Sequence, residues 1–514
     1  MIASDERLAT ASGAAGVRTA SGRQLWAVVL TLAAVVAIYW FFITLGRGTD
    51  IPRQTQFYNL LAEAFLHGQL HLLQAPDPEL LKKANPFDGV HTQLWLYDAS
   101  LYQGRYYTYW GPVPALLLAF VKLFIGRTTY VGDELVVLAF VVGRVSIGAL
   151  LLLGVRKHLF PRLAPLWVVP ALAVFGLASP YLFTLGRPAI YEAAIEGGQF
   201  FLLLGVWAAF SGVTTSSSRR ARWLLSLAGL AWGAALACRI SLLLAVAALV
   251  AWTAFCPFGL RAGVRALALR FATVAGPVAL VGFLLALYNF ARFGAWSEFG
   301  LRYQLNPLRL DYSLACWAPN LHSYFVRRVL VGCQFPFIDA PSGAVSLMPA
   351  SMNLAKLRYL PLEPVVGLFV AAPVTLFGLI AIGSALKELV RTRALQREHG
   401  APREIALWLT GSALILAIFP VLPALGFFSS TMRYLADFAS GWLLLGTLGF
   451  WTLLARLREQ RVLARVSSVV AGALAAYTLV FGVLLGFQGG YYRAFKRVNP
   501  GLYDKLSASL SVCK

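Results

Sequence analysis

The chain has 514 residues, of which 59% are hydrophobic and 13% are charged, and its mean hydropathy is +0.69. This composition excludes a soluble globular enzyme and is typical of a polytopic helical membrane protein, because apolar stretches of about 17–25 residues recur along the chain. The formal net charge of +22 does not indicate nucleic-acid binding, since most Lys and Arg residues fall in short loops between apolar stretches.

Eleven apolar stretches predict membrane-spanning helices, and the basic loops between them set the orientation. Arg7, Arg18 and Arg23 place the leader on the cytosolic side, so the first span runs outward. No small-residue cleavage site follows this span, and we expect it to remain as an anchor. The spans are predicted at residues 25–45, 133–154 and 164–184, a fourth ending near 212, a hairpin of two over 223–256, then 268–289, 363–385, 405–426, 434–455 and 466–487.

This topology divides the chain into five parts and places two long loops outside the membrane. The parts are a cytosolic leader (1–24), an N-terminal transmembrane module (25–289) containing the first outer loop (46–131), a second outer loop (290–362), a C-terminal transmembrane module (363–487) and an outer tail (488–514). In the first outer loop, Phe57 to Gly68 has apolar residues at helical spacing, and Val113–Ile125 is too short for a span. The first is predicted to be an amphipathic helix in the membrane interface, and the second to be an interfacial or re-entrant helix.

Asp50 follows the first span, in the stretch Arg47-Gly-Thr-Asp50-Ile-Pro-Arg53. A carboxylate in a wet cavity at the membrane face can take a proton from an attacking hydroxyl. Asp50 is therefore the first candidate for a catalytic base. A structural role is equally open, in which Asp50 caps a following helix that has Pro52 in its first turn.

Three further acids are candidates for a second catalytic acid. Asp98 lies in an aromatic stretch of the first outer loop, where a turn residue is the structural alternative. Glu192 and Glu196 lie one helical turn apart at the outer start of the fourth span. Two like charges at that spacing cost free energy unless a cation, a metal or a sugar shares them. Ion pairing with Arg187 is the structural alternative.

Arginines at the outer ends of spans are candidates for binding a lipid phosphate, because the planar guanidinium matches phosphate oxygens. Arg433 and Tyr434 open the tenth span, where a helix pair between Arg433 and Asp437 is the structural alternative. Arg239 lies at the outer turn of the 223–256 hairpin and is a second candidate.

Arg292 and Arg302 flank a stretch with two glycines and several aromatic residues after the seventh span. Such a stretch is expected to fold back over a cavity, although Arg292 could instead snorkel at the membrane edge. The first outer loop adds polar and aromatic candidates for sugar or acceptor contacts, with an interfacial aromatic belt as the alternative. These candidates are Gln56, Tyr58, Tyr106, Tyr107 and Tyr109.

The six histidines and five cysteines show no metal-ligand spacing, so no metal-binding residues are predicted. Cys316, Cys333 and Cys513 face the non-cytosolic side in this topology, and a disulfide between Cys316 and Cys333 is open. No Gly-rich phosphate loop or Walker pattern occurs. Any sugar that the protein uses therefore has to arrive already activated.

Together these features resemble the GT-C superfamily of integral-membrane glycosyltransferases. The matching pieces are Asp50 after the first span, the amphipathic stretch Gln56–Leu72, the block Tyr102–Pro114, Arg292-Phe-Gly294 and Met432–Phe438. Many members carry Asp-Glu or Asp-x-Asp at the first-loop acid, whereas this chain has Asp50-Ile51-Pro52. That departure leaves open whether a divalent metal is used and whether Asp50 alone is the base.

The resemblance implies a fold with interfacial helices in the first outer loop and an outward-facing substrate cavity. It implies a polyprenyl-phosphate-linked sugar as donor, with its phosphate near Arg433 and near Arg239 or Arg302. It also implies a lipid or glycan acceptor, and an inverting displacement in which Asp50 is the general base. The composition favours a bacterial inner membrane, and the resemblance implies an active site on its periplasmic face.

Three other functions compete with this interpretation. A flippase or transporter of lipid-linked oligosaccharides requires polar residues inside the spans, where Arg144 is the main exception to an apolar pattern. An O-antigen polymerase or ligase concentrates its chemistry in one large late loop, whereas this chain has its densest polar region in the first. A non-catalytic scaffold could bind lipid through the basic inner loops, although ordinary topology already accounts for those charges.

Overall fold

A computed structural model of the chain describes residues 3–255, 263–307, 312–340, 359, 363–395, 401–488 and 494–513. Parts of the predicted second outer loop (308–311, 341–358 and 360–362) and of the outer tail (489–493 and 514) lie outside the described residues. The same holds for residues 256–262 and 396–400 in two predicted inner loops.

The described part of the chain is mainly helical, with very little sheet. Its α-helices are α1 (Ala3–Ile43), α2 (Phe57–Leu66), α3 (Pro78–Leu81), α4 (Val113–Ile125), α5 (Asp133–Leu159), α6 (Val168–Leu177), α7 (Tyr181–Leu185), α8 (Ile190–Thr214), α9 (Ser218–Cys238), α10 (Leu243–Phe255), α11 (Val264–Phe293), α12 (Trp317–Phe325), α13 (Leu368–Ala371), α14 (Gly378–Leu395), α15 (Ala401–Ile418), α16 (Leu422–Leu425), α17 (Met432–Arg456), α18 (Arg461–Gln488), α19 (Ala494–Val498) and α20 (Pro500–Leu510). Two antiparallel hairpins pair β1 (Ser100–Tyr102) with β2 (Arg105–Tyr107) and β3 (Leu330–Val331) with β4 (Ile338–Asp339).

Nine helices in the described residues are long and apolar enough to cross a membrane, by length and composition. These nine, together with the shorter apolar helices Pro165–Leu177 and Ile240–Phe255, coincide with the eleven predicted spans. The predicted class of an all-α polytopic membrane protein is confirmed.

Two predicted spans differ from the structure because prolines interrupt them. The third is broken between α6 and α7 at Pro180, which has no backbone N–H and restricts the residue before it. The eighth span begins at Pro373 rather than near residue 363. Glu363 and Pro364 therefore belong to a connecting segment at the outer end of the bundle.

Helices α8 and α17 form the centre of the bundle. In each of them, 78% of the apolar 18-residue stretch that could cross the membrane is buried. Helix α8 packs against α5, α9 and α17, and α17 packs against α14 and α15. The contact between α15 and α17 is close, because a Cβ at Gly441 would clash with the backbone nitrogen of Ala417. Small residues at such contacts let membrane helices approach and gain van der Waals packing.

The two predicted interfacial helices, α2 and α4, pack against each other in the first outer loop. Lys122 on α4 is buried, and its Nζ donates to Glu63 Oε1 on α2 at 2.8 Å and to the Thr129 carbonyl at 2.5 Å. The opposite face of α4 is apolar, and its Phe120 and Phe124 are 61% and 76% exposed. This combination fits helices that lie against lipid.

The acid that caps α2 is Asp133, from the start of α5. Its Oδ2 accepts from Thr55 Oγ1 at 2.5 Å and from the Phe57 nitrogen at 3.0 Å, while Oδ1 accepts from the Tyr58 nitrogen at 2.9 Å. The alternative in which Asp50 caps this helix is therefore wrong, because α2 begins only at Phe57.

The outer tail folds back onto the second outer loop through a disulfide between Cys333 and Cys513. Beside it, the Val512 nitrogen donates to the Cys333 carbonyl at 2.8 Å, and the Phe335 nitrogen donates to Ser511 Oγ at 2.9 Å. A Cys316–Cys333 disulfide is thereby excluded, and Cys316 is a buried free thiol at the start of α12.

Candidate functional site

A cavity of about 820 Å³ lies among the loops at one end of the bundle. Every segment that lines it belongs to the end that the loop charges assign to the outer face. These segments contribute lining residues from within 97–111, 183–192, 236–241, 299–312, 363–364 and 423–434.

Arg433 lines the cavity and forms an ion pair with Glu363, with Nη2 3.0 Å from Oε1. The centre of its guanidinium lies 4.2 Å from the centre of the Tyr191 ring. The predicted alternative, a helix pair between Arg433 and Asp437, is wrong, because Glu363 comes from a different segment. Both side chains are partly buried, and pairing offsets the free-energy cost of removing each charge from water.

Arg239 lines the same cavity and pairs with Asp437, with Nη2 2.9 Å from Oδ2. Its guanidinium centre lies 5.2 Å from the centre of the Tyr434 ring, so Tyr434 separates the two arginine pairs. Arg187 is a third arginine in the lining. The cavity therefore brings guanidinium groups together from the α7–α8 turn, the end of α9 and the start of α17.

Asp98 is the first-loop acid that reaches this cavity. Its Oδ1 accepts from Gln304 Nε2 at 2.9 Å and from Asn306 Nδ2 at 2.8 Å. Its backbone has a φ of +67°, a conformation that Asp tolerates better than most residues. Asp98 is thus a turn residue, as the structural alternative held, and its side chain also lines the cavity.

Burial raises the pKa of Asp98, while hydrogen bonds from Asn306 and Tyr191 and the positive charge of Arg433 act in the opposite direction. Burial also raises the pKa of Glu363, against the charge of Arg433. The carboxylate of Asp98 is therefore a stronger base than an exposed aspartate.

Glu192 and Glu196 have separate surroundings. Glu192 lines the cavity, and its Oε2 accepts from the Ala189 nitrogen at 3.1 Å, which caps α8. Glu196 lies one turn further along and is not among the lining residues. It pairs with Arg144, with Oε2 3.0 Å from Nε, and both side chains are fully buried. Glu196 is therefore paired with Arg144 of α5, and not with Arg187.

Asp50 does not line the cavity. Its side chain is 57% exposed and forms an ion pair with Arg47, three residues earlier. The structure therefore does not bring Asp50 together with the cavity arginines.

Arg292 and Arg302 also lie outside the cavity lining. Arg292 is buried, and it donates from Nη1 to the Thr108 carbonyl at 2.6 Å and from Nη2 to Asn289 Oδ1 at 2.7 Å. It holds the end of the first outer loop and does not snorkel. Arg302 is exposed on a short helical turn.

One of the five predicted sugar or acceptor contacts reaches the cavity. Tyr109 stacks on Trp110 with 4.0 Å between ring centres, and its hydroxyl donates to the Tyr191 hydroxyl at 2.8 Å. The other four do not line the cavity. Three of them are buried in the first outer loop, namely Tyr58, Tyr106 and Tyr107, and Gln56 is exposed.

Sequence reasoning missed Glu363, Tyr191, Gln304 and Asn306 as cavity residues. Glu363 carried a usable signal, because an isolated acid at the start of an apolar stretch is costly unless it has a partner. Tyr191 directly precedes Glu192 in a loop that was already a candidate. In the described part of the chain, no group of three His, Cys, Asp or Glu side chains is placed to hold a metal ion.

No protein-family model matches the chain, and no curated protein matches it. Among solved structures, the oligosaccharyltransferase AglB of Archaeoglobus fulgidus, in complex with an inhibitory peptide and a dolichol-phosphate, is 13% identical with a TM-score of 0.46. The match covers 91% of this chain and 56% of that one, so the chain spans little more than half of the archaeal protein.

ArnT of Cupriavidus metallidurans bound to undecaprenyl phosphate is 13% identical with a TM-score of 0.38, over 93% of this chain and 79% of that one. At these identities and TM-scores the matches give no correspondence between residues. The chemistry of the cavity has to be argued from its own geometry.

Proposed function

We propose that the chain is a membrane glycosyltransferase that moves a sugar from a polyprenyl-phosphate donor to a lipid or glycan acceptor. One observation supports this most directly: a single cavity contains three arginines, the Asp98 carboxylate and several aromatic side chains at the predicted outer end of the spans. Arginine suits a phosphate, a carboxylate suits proton removal, and aromatic faces suit a sugar.

In this proposal Arg433 and Arg239 bind the donor phosphate. Each has one guanidinium nitrogen fixed by an acid, Glu363 or Asp437, and each has a buried Nε without a hydrogen-bond partner in the described residues. A buried donor without a partner costs about 1–3 kcal/mol. An acceptor-rich phosphate entering the cavity would remove that cost.

Asp98 takes the role of general base, which the sequence had assigned to Asp50. The acceptor hydroxyl loses its proton to the Asp98 carboxylate while its oxygen forms a bond to the anomeric carbon. The bond from that carbon to the phosphate oxygen breaks, and its electron pair leaves with the lipid phosphate. The arginines stabilise the charge that remains on the phosphate. The displacement inverts the anomeric carbon.

The apolar side of the cavity gives the polyprenyl chain a route to lipid. Ile240 lines the cavity and is 38% exposed, and Leu243 and Leu244 on α10 continue this surface at 52% and 48% exposure. A donor could therefore place its phosphate among the arginines while its chain stays in the membrane. We place this arrangement in a bacterial inner membrane, with the cavity on the periplasmic face.

The test uses the full chain in nanodiscs with a panel of undecaprenyl-phosphate-linked sugars and a membrane extract as the source of acceptor. Release of undecaprenyl phosphate is measured by mass spectrometry. The informative variant is Arg433→Gln/Glu363→Gln, which removes both charges of the pair and leaves neither one buried alone. Arg302→Gln is the matched control, because Arg302 lies on the surface outside the cavity.

We expect the wild type and Arg302→Gln to release undecaprenyl phosphate from at least one donor. The double variant should lose at least about tenfold in rate, since a hydrogen bond to a charged group contributes about 1.5–3 kcal/mol. Equal turnover by the double variant and the wild type would contradict the role of Arg433. A wild type that releases lipid phosphate from no donor would contradict the proposed function.

A further inference from the structure

The first turn of α17 opens onto the cavity. Its N-cap residue, Thr431, lines the cavity together with Ser429, Arg433 and Tyr434. The first backbone N–H groups of any helix lack partners inside the helix, and the N-terminus carries a partial positive charge. Helix α17 is 25 residues long, so this end has a full helix behind it.

Thr431 does not use its hydroxyl as an N-cap threonine usually does. An N-cap hydroxyl normally accepts from a backbone N–H two or three residues later, but the Thr431 side chain makes no capping hydrogen bond. Thr431 is 3% exposed, and its Oγ1 has no hydrogen-bond partner in the described residues. Thr431 is a lining residue of the cavity whose buried hydroxyl lacks a partner, so a ligand in the cavity is a candidate partner for it.

Two of the neighbouring unpartnered atoms are further donors. Arg433 Nε, two residues along the same helix, and Arg239 Nε, on the facing turn, are both buried and unpartnered in the described part of the chain. Their acids, Glu363 and Asp437, are bound through Nη2 atoms. A ligand that satisfies these three donors has to accept several hydrogen bonds. A phosphate group meets this requirement, and its negative charge strengthens hydrogen bonds from a guanidinium and from a helix N-terminus.

We propose that the start of α17 is the phosphate subsite of the cavity, with the Thr431 hydroxyl and Arg433 Nε as direct donors to a phosphate oxygen. This inference rests on the proposed function for the lipid attached to that phosphate. The same chemistry would accept free phosphate, so the experiment separates the two sources.

The experiment measures binding of undecaprenyl phosphate, undecaprenol and inorganic phosphate to the full chain in nanodiscs by native mass spectrometry. Thr431→Val keeps the shape of the side chain and removes the hydroxyl, and Thr431→Ser restores the hydroxyl. Thr447→Val is the matched control on the same helix, because the Thr447 hydroxyl already donates to the Leu443 carbonyl at 2.9 Å. Thr431→Ala is measured as well, in case the valine variant does not fold.

We expect Thr431→Val and Thr431→Ala to weaken undecaprenyl phosphate binding by about tenfold, the loss of one hydrogen bond to a charged group. Thr431→Ser and Thr447→Val should stay within about twofold of the wild type, and binding of undecaprenol should not respond to any variant. Unchanged lipid-phosphate binding in both hydroxyl-deleted variants would overturn the subsite. An effect on inorganic phosphate alone would overturn the lipid assignment. A wild type that binds no undecaprenyl phosphate would contradict the proposed function itself.

Discussion

Arg239 forms an ion pair with Asp437 across two helices, with 2.9 Å between Nη2 and Oδ2. Arg239 directly follows α9, and Asp437 lies in the second turn of α17. One turn earlier on α17, Arg433 pairs with Glu363 from the segment before the eighth span. The two pairs connect three separate segments around the cavity. Each guanidinium is therefore held in place before any phosphate arrives, which reduces the entropy lost on binding.

Two acids of the first outer loop, Asp98 and Asp50, are alternative candidates for the general base, and their variants distinguish them. We expect Asp98→Asn to lower kcat by about 10²- to 10⁴-fold, because the acceptor hydroxyl would lose its proton acceptor. Asp50→Asn should turn over like the wild type, since Asp50 is exposed and paired with Arg47 outside the cavity. The measurement is turnover of a defined donor and acceptor, with donor binding measured alongside. Loss of turnover in Asp50→Asn with an active Asp98→Asn would reverse the assignment.

The pH dependence of the rate follows from the burial of Asp98. A general base has to be ionised, so kcat/KM should fall as pH drops through the pKa of Asp98. Burial raises that pKa, so the fall should begin above the pH at which an ordinary aspartate, with a pKa of about 3.9, becomes protonated. The acidic limb should be absent from the residual rate of Asp98→Asn. A wild-type rate that stays constant down to about pH 4 would argue against Asp98 as the base.

The raised pKa of Asp98 also affects the stability of the folded chain. This effect has the opposite pH dependence to the rate, because stability is lost as pH rises. Because the folded chain raises the pKa of Asp98, its stabilising contribution is present below the unfolded pKa and is lost as pH rises through the folded pKa. Asp98→Asn is neutral at every pH, and its amide oxygen can still accept from Gln304 and Asn306. The Tm of this variant at neutral pH should therefore equal or exceed that of the wild type, and the difference should shrink as pH is lowered. A Tm several degrees lower at neutral pH would contradict this expectation.

The buried pair of Arg144 and Glu196 should control folding and leave the chemistry unaffected. Glu196→Gln leaves the Arg144 charge buried without its partner, which costs about 3–5 kcal/mol. We expect a large drop in Tm and in the yield of monodisperse protein. The double variant Arg144→Met/Glu196→Met should recover most of both and retain undecaprenyl phosphate binding. A Glu196→Gln variant that is as stable as the wild type yet inactive would return Glu196 to the candidate acids.

The disulfide gives a test of topology that is independent of the cavity. Alkylation of unreduced membranes followed by peptide mass spectrometry should find a Cys333–Cys513 link and an unpaired Cys316. Disulfides form in oxidising compartments, so the link should require the second outer loop and the tail to lie on the non-cytosolic side. A Cys316–Cys333 link, or free thiols at both Cys333 and Cys513, would contradict the structure.

The spans and their orientation could be predicted because apolar length and loop charge are local properties of the sequence. Asp133 could not be recognised as the cap of α2, since Thr55, Phe57 and Tyr58 lie more than 70 residues earlier in the chain and meet it only after folding. Its place at the start of the second span was predictable, because that depends only on the apolar stretch that follows it.

The cavity was predicted in part. Arg433, Arg239 and Tyr434 were found because cations and hydroxyls at the outer ends of spans are costly without a role. The acid that pairs with Arg433 was not recognised, because helical spacing favours Asp437 and carries no information about Glu363. Asp50 was preferred to Asp98 because it is nearer to the first span, although distance along the chain does not decide which acid a long loop folds into a cavity.

A cryo-EM map of the full chain in nanodiscs with undecaprenyl phosphate would test the central claim most directly. The account predicts phosphate density in the cavity, within hydrogen-bonding distance of Arg433 or Arg239 and beside Thr431, with the lipid chain leaving past Ile240. Asp98 should lie across the remaining space, where a sugar and an acceptor would fit. Phosphate density confined to the basic loops at the other end of the bundle, with the cavity empty, would contradict it.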